Sequence, residues 1–141
     1  SLRDNRFVTQ KIISGAIQCT SNNKLKIKLG NINVERDWGC AEEYVEGIQK
    51  MTRAKSTEDQ VICTGKSTKL KEFIQIVFKT LDLNWQDHII IDNSLFRKSD
   101  IFKSFGNPSK MYDDLNWEAK VTLEELIRKM IEDKLIIKEL T

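Results

Sequence analysis

Two arginines sit where a phosphate could be held. Arg36 opens the run Arg36-Asp37-Trp38-Gly39, which follows a Gly30-Asn31 turn and leads directly into a helical pattern. Arg97 lies in Phe96-Arg97-Lys98-Ser99-Asp100, a polar stretch between a strand pattern and the segment at Pro108. A guanidinium presents paired N–H donors that match phosphate oxygens two at a time, so two loop arginines could hold a diphosphate between them. Taken alone, each arginine is more often half of a surface ion pair, and nothing local overrules that.

Other chemistry is harder to find. Gly65-Lys66-Ser67-Thr68 resembles the end of a P-loop, but the glycine needed five positions before the Gly-Lys pair is Gln60. The better reading is a strand-to-helix turn in which Gly65 relaxes the backbone and a hydroxyl caps the helix. No Gly-x-Gly-x-x-Gly turn for a dinucleotide occurs. Glu42-Glu43, Asp113-Asp114 and Glu124-Glu125 are sequence neighbours, which on a helix point about 100° apart and read as solvated faces. His88 is the single histidine, with no nucleophile elbow to partner it, and reads as a surface or strand-edge residue. Cys19, Cys40 and Cys63 are odd in number and widely spaced, suggesting neither a disulfide framework nor a metal site.

Five helical stripes could position these residues. Phe7, Val8, Ile12, Ile13, Ala16 and Ile17 form the first, and Ala41, Tyr44, Val45, Ile48 and Met51 the second. Leu70, Phe73, Ile74, Val77, Phe78 and Leu81 form the third, with Ser67-Thr68 as candidate caps. Asn107-Pro108 starts a short fourth, and Thr122 with Glu125 forms a capping box for the last. Lys24 to Leu29, Val61 to Cys63 and His88 to Ile91 read as short strands. The architecture expected is helix-rich α/β, with too few strands for a complete doubly wound sheet.

The chain has 141 residues, enough for one domain, with 40% hydrophobic and 31% charged residues. Lys and Arg total 23 against 21 Asp and Glu. That balance argues against a dedicated nucleic-acid or membrane-surface binder, and no apolar run approaches the roughly 18 residues of a membrane span. A soluble, cytoplasmic protein is expected. Lys66, Lys69 and Lys71 would offer nucleic acid a basic helix start, but exposed aromatics are not interleaved with them.

An ordered series of motifs adds a resemblance. Phe7-Val8-Thr9-Gln10-Lys11-Ile12, Leu29-Gly30-Asn31, Arg36-Asp37-Trp38-Gly39 and Tyr44-Val45-Glu46 are followed by Val61-Ile62-Cys63-Thr64-Gly65, Lys71-Glu72-Phe73 and Leu115-Asn116-Trp117. The series resembles the C-terminal, substrate-binding portion of the GDP-mannose 4,6-dehydratases, which belong to the extended short-chain dehydrogenase/reductases. The resemblance implies part of that fold, a few short strands and about five helices, with the Rossmann half absent. It implies that Val8, Thr9 and Lys11 lie at the nucleotide site and that Leu29 and Asn31 lie on the segment lining it. Arg36 and Arg97 match the two arginines that grip the GDP diphosphate. Asp100 matches a carboxylate near the nucleoside, where the family usually has glutamate, and Arg3 an arginine touching the cofactor.

The chain also departs from the family. Lys98 replaces a proline, Cys40 a histidine and Arg6 an asparagine, and the stretch from Leu83 to Leu95 is shorter. CDP-, UDP- or dTDP-sugars therefore stay open beside a GDP-sugar, as does a small non-enzymatic binding module. Neither Tyr44 nor Tyr112 has a lysine four positions later, so the Tyr-x-x-x-Lys pair that performs the family's chemistry would precede residue 1. The expectation is a substrate-recognition half, inactive alone and binding no cofactor by itself, from an enzyme that uses NADP or NAD. No metal or catalytic residue is expected within it. Residues about 40–80 would pack on the cofactor domain, and without it their apolar surface would drive self-association into a homo-oligomer.

Overall fold

The computed structural model describes residues 6–55, 58–97 and 99–139. The first apolar stripe becomes α1 (Val8–Ser21), the second α2 (Ala41–Arg53) and the third α3 (Leu70–Thr80). Two more helices follow, α4 (Ser109–Leu115) and α5 (Leu123–Glu139). The strands are short: β1 (Ile27–Leu29), β2 (Glu35–Arg36), β3 (Thr68–Lys69), β4 (Ile89–Ile91) and β5 (Lys103–Ser104). They form two small sheets. β1 pairs parallel with β4, placing Ile27 opposite Ile89 and Leu29 opposite Ile91. In the second sheet β2 is central, antiparallel to β3 and parallel to β5.

The core lies where α1, α3 and α5 meet the β1–β4 pair. Ile12, Ile13 and Ala16 of α1, Phe73, Ile74, Val77 and Phe78 of α3, and Ile127 of α5 are fully buried there. Along β1, Ile27 and Leu29 point into this core while Lys28 between them is exposed. The alternation read from the sequence thus survives over three residues, and the strand begins at Ile27 rather than Lys24.

Terminal residues of the helices behave in two ways. Glu125 accepts from the backbone N–H of Thr122 at 2.8 Å, and Thr122 Oγ1 accepts from the N–H of Glu125 at 3.3 Å, completing the expected capping box. Asn107 Oδ1 accepts from the N–H of Ser109 at 3.0 Å, as a cap before Pro108 should. The start of α3 differs from expectation. Ser67 gives its hydroxyl to Glu35 at 3.0 Å, and Thr68 and Lys69 belong to β3, so neither hydroxyl caps the helix. The chain runs from strand into helix without a turn between, and the strand claims both residues.

Two further expectations are corrected. Val61 to Cys63 forms no strand: Cys63 is buried, Val61 is 54% exposed, and no strand among the described residues lies beside them. His88 is 1% exposed rather than on the surface. Pairing of β1 with β4 brings the Leu25 carbonyl 3.0 Å from His88 Nδ1, and the ring stacks on Phe78 at 5.7 Å. A buried imidazole with a hydrogen-bond partner is a satisfied core residue.

Candidate functional site

The Arg36-Asp37-Trp38-Gly39 run forms a corner where four segments meet. Arg36 stands on β2, the central strand of its sheet, and its guanidinium faces the segment that leads into β5. Nη1 donates to the Ile101 carbonyl at 2.7 Å and to the carbonyl of Glu35, also at 2.7 Å. Nη2 donates to Asp100 Oδ1 at 3.0 Å in an ion pair. Arg36 and Asp100, 64 positions apart in sequence, are therefore in direct contact.

Asp37 points the other way and clamps a turn. Its Oδ1 accepts from the Thr64 N–H at 3.0 Å and from the Thr64 hydroxyl at 2.7 Å, while Oδ2 accepts from the Gly65 N–H at 2.9 Å. Gly65 has a φ of 75°, the left-handed region that glycine enters without steric cost, so the turn can present both N–H groups to one carboxylate. This bears out the reading of Gly65 as a turn residue.

Trp38 packs its ring 5.3 Å from Phe73 of the core, and its indole N–H donates to the Thr68 carbonyl at 3.4 Å. Gly39 is required by room rather than by backbone conformation, since a Cβ there would run into the Tyr44 phenol. That phenol also hydrogen-bonds Asp37, and its ring sits edge-on to Trp117 at 6.2 Å. Burial pushes the Tyr44 hydroxyl up to about 12, and the Asp37 carboxylate adds to the rise. Each residue of the motif thus has a structural task on top of any ligand it meets.

The other expected site residues are distributed more widely. Arg97 is exposed, on the segment between β4 and β5 whose far end Arg36 holds. Lys11 donates from Nζ to the Lys28 carbonyl at 2.6 Å, at the rim of a cleft of ≈ 240 Å³ between α1 and β1. That cleft is lined also by Gln18, Lys26 and Lys28, and by neither Arg36 nor Asp100. Val8 and Thr9 are half-buried in the first turn of α1. The Leu29 side chain is in the core, and Asn31 Oδ1 accepts from the Asn33 N–H at 2.9 Å in a local turn. Arg3 lies outside the described residues. The structure joins Arg36 to Asp100 and leaves Lys11 on a different cleft.

Sequence reasoning missed two residues that hold this corner. Asp37 was visible only as part of a motif, because its partners lie 27 and 28 positions away. Glu43 read as half of a solvated carboxylate pair, yet it accepts from the backbone N–H groups of Lys120 at 2.7 Å and Val121 at 3.0 Å. It thereby ties α2 to the entry of α5. No local pattern distinguishes such a carboxylate from an exposed one.

Among the described residues no group of three or more His, Cys, Asp or Glu side chains could hold a metal ion. None of their helices is long and apolar enough to cross a membrane. Of the lysines that suggested a nucleic-acid surface, Lys71 places its ammonium 5.6 Å from the Trp85 ring centre.

A family profile described as GDP-mannose 4,6 dehydratase matches residues 1–130. The chain belongs to that family. Among curated relatives, GDP-mannose 4,6 dehydratase 1 of Arabidopsis thaliana is 36% identical over 133 residues, covering 94% of this chain and 37% of its own length. GDP-mannose 4,6 dehydratase 2 of Caenorhabditis elegans is 30% identical, with 97% of this chain and 40% of the relative covered. The chain therefore spans well under half the length of these relatives. Solved structures agree on the fold. RMD from Pseudomonas aeruginosa, complexed with NADPH, superposes with a TM-score of 0.76 at 20% identity, over 93% of this chain and 43% of that one. A dTDP-glucose 4,6-dehydratase from Bacillus anthracis in complex with NAD gives 0.76 at 16% identity, over 92% and 39%. The fold is thus the helix-rich α/β portion of a nucleotide-sugar dehydratase or epimerase, as the motif series implied.

Proposed function

We propose that this chain is the substrate-recognition portion of a GDP-mannose 4,6-dehydratase, an enzyme converting GDP-mannose to GDP-4-keto-6-deoxymannose. The observation carrying this reading is the family match along residues 1–130, joined to a built corner that holds an arginine-bearing segment in place. The diphosphate is met at that corner, on the side of Arg97 and Arg36, and the nucleoside lies toward Asp100, Asn31, Lys11 and the first turn of α1. A nucleotide sugar carries two negative charges on its diphosphate, so a few local cations suffice and no overall basic excess is needed.

The whole enzyme uses NADP or NAD, which would accept a hydride from sugar C4 and return it. The residues of this chain do not fit that group: they carry no Gly-rich turn and no Tyr-x-x-x-Lys pair. Its own contribution is to bind and orient the sugar nucleotide, and by itself the chain is inactive. The apolar side chains of Val45, Ile48 and Val61 are each at least 50% exposed, which supports packing of residues about 40–80 on a cofactor domain. The same surface supports a cytoplasmic homo-oligomer of the whole protein.

The decisive experiment is to read the coding sequence upstream of Ser1 and assay the whole protein with GDP-mannose. A Gly-rich turn, a Tyr-x-x-x-Lys pair and formation of the 4-keto product are expected. Absence of both motifs would overturn the assignment. Turnover of a UDP-, CDP- or dTDP-sugar in place of GDP-mannose would overturn the choice of substrate.

A further inference from the structure

The segment between β4 and β5 has almost no apolar anchorage. Leu95, Phe96, Ile101 and Phe102 are 47%, 44%, 65% and 59% exposed, so burial does not fix its position. Its far end is held by polar bonds to two consecutive residues of β2. The Glu35 N–H donates to the Phe102 carbonyl at 2.7 Å, and the Glu35 carboxylate lies 3.5 Å from Lys103 Nζ. Arg36 supplies the rest, binding the Ile101 carbonyl and the Asp100 carboxylate with its two terminal nitrogens. A planar guanidinium can hold a carbonyl and a carboxylate at once, which an ammonium on a flexible stem does poorly.

We propose that Arg36 is a positioning residue: with Asp100 it latches residues 97–104 onto β2, and so sets the place from which Arg97 meets the phosphates. Asp100 completes the latch rather than contacting the nucleoside. The inference rests on the nucleotide-sugar reading and divides its two arginines into one that holds and one that binds.

The two possible roles of Arg36 predict opposite signs. Were Arg36 the phosphate ligand, Asp100 would compete with the phosphates for it, and Asp100→Asn would raise affinity. Under the latch, Asp100→Asn frees the segment and lowers affinity, although a repelling negative charge has been removed.

The test measures GDP affinity by calorimetry and deuterium uptake by peptides covering residues 93–105, on the full chain without cofactor. Asp100→Asn and Arg36→Lys should each speed uptake about threefold or more and weaken GDP binding by a comparable factor, the scale of one lost charge-assisted hydrogen bond. Asp100→Glu should restore both readouts. Arg97→Ala should weaken GDP binding about tenfold with uptake unchanged. Unchanged uptake in Asp100→Asn overturns the latch, and raised affinity in that variant makes Arg36 the direct ligand. A chain that binds no GDP in any form counts against the nucleotide-sugar reading, while uptake still decides the latch.

Discussion

Replacing Asp37 by alanine should be among the most damaging single changes at the corner. The carboxylate accepts three hydrogen bonds from Thr64 and Gly65, at 2.7 to 3.0 Å. A hydrogen bond to a charged group contributes about 1.5–3 kcal/mol net, and stranded donors add their own desolvation cost. The site is only half-buried, so water can reach part of what is left, and the Thr64 hydroxyl can rotate toward another acceptor. A loss of about 3–4 kcal/mol follows, a large fraction of the roughly 5–15 kcal/mol that holds a typical domain together.

At this chain length the loss corresponds to a fall in melting temperature on the order of 10 °C. Asp37→Asn keeps the Oδ1 acceptor but sets an NH2 group against the Gly65 N–H, so it should cost about 2 kcal/mol. The assay is urea unfolding followed by circular dichroism, paired with amide exchange at Thr64 and Gly65. Both amides should lose protection in Asp37→Ala while the core amides of α3 keep theirs. If Asp37→Ala unfolds within about 0.5 kcal/mol of the parent, or if those two amides stay protected, the clamp is not what holds the turn.

Two further outcomes follow from neighbouring groups. Gly39→Ala places a methyl against the Tyr44 phenol, and displacing the ring should cost about 1–3 kcal/mol in urea unfolding; an unchanged midpoint would show that the ring is not confined there. Tyr44 has its folded-state pKa raised from 10.0 to about 12, so its stabilisation is complete below pH 10 and fades as pH rises toward 12. Between pH 9 and 11 the parent should therefore lose more stability than Tyr44→Phe, and equal losses in the two proteins would contradict the shift.

The helices were legible because each is specified within a turn or two of sequence. The stripes of α1 and α3 and the Thr122–Glu125 box depend on neighbours three or four positions away, which periodicity exposes directly. The family was legible too, because an ordered series of short motifs spans most of the chain. The failures share one physical cause. Val61 to Cys63 has the composition of a strand, but a strand exists only when another backbone lies alongside it. Ser67 and Thr68 are good capping residues, yet β2 offers them sheet pairing and a carboxylate instead.

The sequence by itself determined the fold class, the family and the residue types available for a phosphate. Only the tertiary structure decided how those residues divide their work. The pairing of Arg36 with Asp100, the Asp37 clamp on Thr64 and Gly65, and the burial of His88 all join positions at least 27 residues apart. Side-chain donors and acceptors carry no sequence mark of the partner they will meet. Chain packing brings that partner within 3 Å, and with it decides whether an arginine reaches for a ligand or holds a loop.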